Sequence, residues 1–438
     1  MAVMKRAVEK RSASFLLGMN TLILGANLVW VSYNTILLPT LVEKVASGNK
    51  ALVVGLIGFF GTLLALLVSI LWGILSDHST SRFGKRSPAI LTGALIALPL
   101  IILPTLLLAP SLTNTLLPFA LVIIIVSYFG MQFSTNMSNG AWWPLLVDVV
   151  PENQRGLASG IGGFLTLLGA AAGILVVTSL NQNGQTAWAL WLIAIVFTLT
   201  GVINVWVIRG SDHPADSTER LNIWNALVDI FNVRRRVVVF FWLVLALLLA
   251  NMGINSLQFY ARYFFQVYFP QVSPDAAYRA MGGISLIVTM LAALLSGLLS
   301  DKIGRRAMIL WAMLTCALCT FLMGFTSNFA AFLLLAGLRA ATTGPILATA
   351  PALASDLSPK DEAGRYMAYN NLSTGLSGGI SALVFGILLV NMTRTTFMYL
   401  FVISAALFLA GGLVFSSCVS QKKLDEQFKA AEEIGETI

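Results

Sequence analysis

Gly73-Ile-Leu-Ser-Asp77-His-Ser-Thr-Ser-Arg82-Phe-Gly84-Lys85-Arg86 returns later in the chain as Gly297-Leu-Leu-Ser-Asp301-Lys-Ile-Gly304-Arg305-Arg306. Each copy closes a long apolar run. A second pair follows the same order: Asp148-Val-Val-Pro151-Glu-Asn-Gln-Arg155-Gly156 in the first half and Asp356-Leu-Ser-Pro359-Lys-Asp-Glu-Ala-Gly364-Arg365 in the second. Two different motifs, in one order, at the same place in each half, mark a chain built from two repeated halves.

The runs between these loops decide the solvent. Charged residues make up 11% of the 438 residues and hydrophobic ones 57%, against roughly 25% charged in a soluble domain. The interior of a soluble protein this long grows too slowly with chain length to hide that much apolar surface, so the lipid bilayer is the expected partner. A spanning helix needs about 20 apolar residues. Twelve runs qualify: 15–41, 51–76, 88–109, 116–147, 156–180, 187–209, 237–268, 280–300, 307–326, 329–354, 365–391 and 394–418. The prediction is an all-α polytopic membrane protein with twelve transmembrane helices in two pseudo-symmetric six-helix bundles. The bundles occupy 15–209 and 237–418, joined by a polar linker, 210–236, and flanked by 1–14 and a charged tail, 419–438.

The net charge of +8 is read here as topology and not as nucleic-acid binding, because the basic residues sit in short loops between spans. Placing both termini in the cytoplasm leaves only Lys44, Lys50, Arg279 and Arg394 outside, with Arg262 and Arg339 within spans. That bias sets the orientation and predicts a multi-pass protein of the inner (plasma) membrane. The basic N-terminus followed by 15–41 is too long for a signal peptide and reads as a retained first span. Cys316, Cys319 and Cys418 lie in apolar runs and read as packing residues. Gly156/Gly160, Gly375/Gly379 and Gly162-Gly163 have the spacing of close helix-packing surfaces.

The loops carry their own physics. An Asp at the end of a span can accept from free N–H groups at a neighbouring helix N-terminus or pair with Arg, and the Gly permits a tight turn. Such contacts at a membrane rim lock one conformation and release another when broken. The predicted gating residues are therefore Asp77, Arg82, Gly84, Lys85, Arg86, Asp148 and Arg155, with Asp301, Gly304, Arg305, Arg306, Asp356 and Arg365 in the repeat.

Asp301-Lys-Ile-Gly-Arg305-Arg306 resembles the signature loop of the major facilitator superfamily. The longer first copy, and Pro151-Glu-Asn-Gln-Arg155-Gly-Leu-Ala-Ser-Gly160, resemble the branch of glycoside–pentoside–hexuronide carriers and sucrose:proton symporters. The resemblance extends from about residue 15 to 418. It implies the major facilitator fold, a secondary transporter working by alternating access, a small-molecule substrate, a proton or sodium coupling ion, and a monomer. It also implies that spans one, four, seven and ten line the central cavity.

Polar stripes at helical spacing fall on those same four spans. Polar side chains are costly against lipid and tend to face a cavity. Span four carries Gln132, Asn136, Asn139 and Trp143; span seven carries Asn251, Asn255, Gln258 and Arg262; both sets follow i, i+4, i+7, i+11 on one face. Span one carries Asn20, Asn27 and Asn34, with Tyr33 beside them, and span ten carries Arg339, Thr342 and Thr343. Amides donate and accept, and aromatic rings such as Trp142, Trp143 and Tyr33 stack on sugar faces, so the predicted substrate is a sugar, sugar acid or organic anion. Arg339, deep in its span, costs about 2.5–3.5 kcal/mol on insertion scales. It either binds backbone carbonyls and water or meets an anionic substrate. No Asp or Glu lies well inside any span, which departs from the carboxylate usual in cation-coupled carriers. A drug or lipid exporter of the same fold, and a transporter-like receptor or scaffold, are the competing readings. With His78 and His213 both in loops, no nucleotide loop and no metal-ligand cluster, the sequence predicts neither an enzyme nor a cofactor.

Overall fold

The computed structural model describes residues 10–46, 48–109, 113–214, 238–358 and 363–419. Most of the predicted linker and tail, and the side chains of Asp301, Asp356 and Arg365, lie outside the described residues. Twelve helices are long and apolar enough to cross a bilayer. They are α1 (Ala13–Val45), α2 (Lys50–Asp77), α3 (Ser87–Leu108), α4 (Leu117–Val149), α5 (Arg155–Gln182), α6 (Thr186–Ile208), α7 (Val238–Asn255), α8 (Pro274–Ser296), α9 (Arg305–Phe325), α10 (Phe329–Ser355), α11 (Tyr369–Leu388) and α12 (Arg394–Cys418). α8 starts earlier than the hydropathy run because Pro274 is favoured in a first helical turn.

The chain falls into two compact units, Met1–Gly48 with Leu63–Ala226, and Asn49–Thr62 with Leu227–Ile438. Within the first, α1 packs on α5 and α6, and α3 packs on α4 and α6. Within the second, α7 packs on α11 and α12, and α9 packs on α10 and α12. Adding six to each helix number converts the first set into the second, so the duplication seen in the loops extends to which helices touch. The first part of α2 groups with the second unit, where Gly55 lies against Gly386 and the Ala382 carbonyl.

Small residues let these helices approach. Gly140 of α4 faces the Ser69 carbonyl of α2 with no room for a Cβ, beside an edge-to-face pair of Trp72 and Phe133 with centroids 5.1 Å apart. The expectation for Gly156, Gly160 and Gly163 is not met: a Cβ at any of them would touch nothing within 4 Å. Spacing alone puts these residues on a face, but no neighbour presses on it.

Span seven is not the single helix 237–268. α7 stops at Asn255, Ser256–Tyr260 form turns, and a short helix resumes at Ala261–Tyr268. There is no proline to break it. Ser256 Oγ donates to the Gly253 carbonyl (2.9 Å), and such local side-chain bonds compete with the helical ladder. α1 carries a gentler irregularity, a wide π turn at Tyr33–Leu37 just before Pro39; wide turns of this kind recur at functional sites.

The repeated loop has one backbone signature in both halves. Gly84 (φ +101°) and Gly304 (φ +92°) take the left-handed region at matching motif positions, where a Cβ is penalised by about 1–2 kcal/mol. At Gly84 a Cβ would also strike Asp212. Gly84→Val should therefore lower the thermal midpoint of the purified protein by several degrees or prevent its recovery, whereas Gly156→Ala should leave the midpoint unchanged. A midpoint in Gly84→Val equal to wild type contradicts this account of the loop.

Candidate functional site

The α2–α3 loop and its neighbours form the densest charged cluster in the first unit. The Arg86 side chain is 2% exposed. A bare guanidinium so buried is costly, and here every side is met. Nη2 donates to Asp77, Nε to Asp148 Oδ2 (3.0 Å), and Nη1 to Ser76 Oγ (2.6 Å) and the Gly73 carbonyl (3.2 Å). Lys85 Nζ adds a second cation on Asp148 Oδ2 at 3.0 Å. The predicted residues Asp77, Lys85, Arg86 and Asp148 are thus one network spanning α2, α3 and α4, supported by Ser76, which sequence reading missed.

Asp212 was also missed, and it organises the same loop. α3 begins without a side-chain cap of its own, leaving N–H groups in need of an acceptor. The Asp212 carboxylate, beyond the end of α6, accepts from Lys85 N (3.1 Å), Arg86 N (3.0 Å), Ser87 N (2.7 Å) and Ser87 Oγ (2.7 Å). The His213 carbonyl accepts from Lys85 N at 3.2 Å. An anion at a helix N-terminus also complements the helix dipole. The sequence signal pointed elsewhere: Ser87 before Pro88 reads as a local cap, whereas its hydroxyl donates to Asp212.

Other predicted gating residues stand apart. Arg82 lies over the Phe83 ring, 4.8 Å from its centroid. Arg155 Nη2 donates to the Val147 carbonyl at 3.3 Å. In the second unit Arg306 Nη2 donates to the Ser416 carbonyl at 2.8 Å, fastening the start of α9 to α12.

The polar stripes separate into structural ties and open groups. Asn20 is a tie: its amide donates to the Leu16 and Ala158 carbonyls (2.8 and 3.2 Å), so it does not belong with Asn27 and Asn34 as a solute face. Trp142 Nε1 likewise donates to the Met19 carbonyl at 2.7 Å, while Trp143 beside it is largely exposed. The π turn of α1 brings Tyr33 and Asn34 onto α4. Tyr33 Oη and Ser127 Oγ are 2.6 Å apart, Tyr128 Oη donates to Asn34 Oδ1 at 2.9 Å, and Gln132 Nε2 reaches Tyr128 Oη at 3.5 Å. Asn27 and Asn136 donate along their own helices to Ile23 and Gln132 carbonyls.

In the second unit Asn251 donates to the Leu247 carbonyl, and Asn255 Nδ2 donates to Ser377 Oγ of α11 at 3.1 Å. Arg262 Nη1 pairs with Asp275 Oδ1 at 2.7 Å; both sit near the break, on the short helix and the start of α8. Arg339 Nη2 donates to the Ile254 carbonyl (2.9 Å) and approaches that of Gly253 (3.5 Å). Thr342 and Thr343 donate to the Arg339 carbonyl at 2.8 and 3.0 Å, and Cys316 Sγ lies 2.9 Å from Thr342 Oγ1. Four buried atoms of stripe residues have no partner among the described residues: Gln132 Oε1, Asn139 Oδ1, Gln258 Oε1 and Arg339 Nε. Among the described residues no cluster of His, Cys, Asp and Glu could hold a metal.

The comparisons agree with this architecture. A relative, the general alpha-glucoside permease of Schizosaccharomyces pombe, is 26% identical over 180 residues, 39% of this chain and about a third (32%) of the relative's length. The crystal structure of a D-xylose-proton symporter superposes with a TM-score of 0.67 at 17% identity, covering 93% of this chain and 98% of that one. A bacterial homologue of the human lysosomal transporter Spinster, in an inward-facing and unoccupied conformation, gives 0.66 at 14% identity, covering 92% and 98%. At these identities the structures speak for the fold. The model of the Major Facilitator Superfamily matches residues 12–272 and again 271–435, and the chain belongs to that superfamily of multi-pass membrane transporters.

Proposed function

We propose that this chain is a secondary carrier for a small hydroxyl-rich solute, a neutral sugar first, working by alternating access in the cell's inner membrane. The observation that carries the reading is that three of the five buried amide oxygens without a partner among the described residues fall on the stripes, at Gln132, Asn139 and Gln258, the other two being on Asn204 and Asn370. A buried acceptor without a donor costs about 1–3 kcal/mol. Three such acceptors on the stripes that sequence reading singled out call for O–H donors, which a sugar supplies in number. Tyr33, Asn34, Asn136, Trp143, Asn251, Asn255, Thr342 and Thr343 complete the proposed solute contacts. The names of the relatives, an alpha-glucoside permease and a D-xylose-proton symporter, support the same solute class. Arg339 donates to carbonyls of α7, which supports a neutral solute over an anionic one.

In this reading the Asp77/Arg86/Asp148 cluster is the cytoplasmic lock, breaking and re-forming as the carrier cycles, and Asp212 holds the loop in shape for it. Counterflow into proteoliposomes with a panel of neutral sugars, sugar acids and organic anions tests the substrate. At least one neutral sugar should exchange saturably. Gln132→Ala and Gln258→Ala should each raise its KM about tenfold, the size of one lost hydrogen bond of about 1.4 kcal/mol. Exchange of anions only, or unchanged KM in both variants, would refute the proposal. Arg86→Ala should slow turnover more than tenfold while equilibrium sugar binding, measured by calorimetry, stays within about twofold; a variant that turns over like wild type removes the lock from the cycle.

A further inference from the structure

α7 ends inside the membrane-spanning part of the protein, and a helix end there leaves carbonyls with no ladder partner. The end also bears the negative pole of the helix dipole. Arg339, eleven residues into α10 (Phe329–Ser355), reaches this end and donates to the Gly253 and Ile254 carbonyls. Among the described residues no acid pairs with it. Its own backbone is held in turn, since the Arg339 carbonyl accepts from both Thr342 and Thr343. Around the same end, Ser381 Oγ of α11 donates to the Met252 carbonyl at 3.1 Å, and Asn255 donates to Ser377 Oγ of α11 at 3.1 Å. α10 and α11 thus both bind the last turn of α7, immediately before the unwound stretch Ser256–Tyr260, which carries Gln258.

We infer that Arg339 is a tethered cation that caps the open end of α7 and positions the Ser256–Tyr260 turn, and through it Gln258, for solute recognition. The geometry explains why the charge is tolerated at this depth: a guanidinium offers several donors in a plane, and a half-helix C-terminus supplies the carbonyls and partial negative charge that lipid cannot. Broken helices in other carriers present such ends to free cations; in this chain a side chain fills that role. The role is one of positioning. The part concerning Gln258 rests on the proposed sugar-carrier reading; the capping of α7 does not.

The test measures both parts separately. Hydrogen–deuterium exchange of the full-length protein in nanodiscs should show amides of residues 256–260 exchanging about tenfold faster in Arg339→Ala, with the interior of α4 unchanged. Arg339→Lys should restore most of the protection, since an ammonium still caps carbonyls. Added guanidinium ion at millimolar concentration should slow exchange in Arg339→Ala and leave wild type unaffected. If Arg339→Ala is not recovered folded, Arg339→Gln, which keeps donors and loses the charge, takes its place. Unchanged protection of 256–260 in the charge-free variant, or no response to guanidinium, overturns the capping role. In counterflow, Arg339→Ala should raise KM for a neutral sugar with guanidinium partly reversing it. A defect confined to anionic solutes with protection intact would instead make Arg339 a substrate ligand. Faster exchange with no transport of any solute by wild type would leave the cap standing and defeat only the carrier reading.

Discussion

The α2–α3 loop of the first unit is built around one buried guanidinium. Arg86 is the one charged residue among the largest fully buried side chains of the described residues, and its enclosure brings three helices together. Asp77 ends α2, Arg86 begins α3, and Asp148 lies near the end of α4. Removing any one partner leaves a desolvated charge, which costs more than the pair is worth when whole. In the proposed alternating-access reading, that asymmetry suits a lock that breaks and re-forms. It is stable only when complete, and water arriving at a partly opened rim can take over from its carboxylates, one of which, Asp77, is half exposed.

Asp212 shows how the chain prepares that enclosure. Its carboxylate takes the free N–H groups of α3, and the loop must fold sharply to deliver them, which only a glycine at Gly84 permits. Helix cap, left-handed glycine and ion-pair cluster are therefore one construction. Asp212 lies at the entrance of the segment that connects the two repeated halves in the sequence, so the loop is tied to the C-terminal end of the first half.

Much of this was legible in the sequence because membrane insertion writes in coarse units. Apolar runs gave twelve spans, and all twelve appear as helices of sufficient length and hydropathy. The repeated loops gave the duplication, which the matching helix pairings and the paired positive-φ glycines display. The polar stripes gave Tyr33, Asn34 and Gln132 together, but not Ser127 and Tyr128, because a hydroxyl in an apolar run is an unremarkable residue until its partner is known. Periodicity also counts every amide equally. It could not tell that Asn20 satisfies two carbonyls whereas Gln132 keeps an oxygen unsatisfied, since that difference is set by neighbours about 140 residues away. Asp212 was hidden for the same reason: cap signals are read locally, and this cap is remote.

Arg339 is the instructive case, because the sequence reading left two alternatives, carbonyls with water or an anionic substrate, and the structure shows the guanidinium donating to carbonyls. A cation deep in a span must meet carbonyls or an anion, and the break in α7 supplies the carbonyls. The break and the wide turn of α1 occupy corresponding helices of the two halves, α1 and α7, and each lies within a polar stripe. Irregular backbone is tolerated at membrane depth only where protein or a water-filled path surrounds it. These two departures, one at Asn34 and one next to Asn255, put irregular backbone beside polar side chains in each half, whereas a further π turn, Gly173–Val177 in α5, lies in an apolar stretch. At the end of α7 groups other than the ladder satisfy the chain: Ser381, Ser256 and Arg339 donate to the Met252, Gly253 and Ile254 carbonyls. A site that must bind and release a polar solute needs such groups, whose hydrogen bonds can be exchanged without unravelling the helices that carry them.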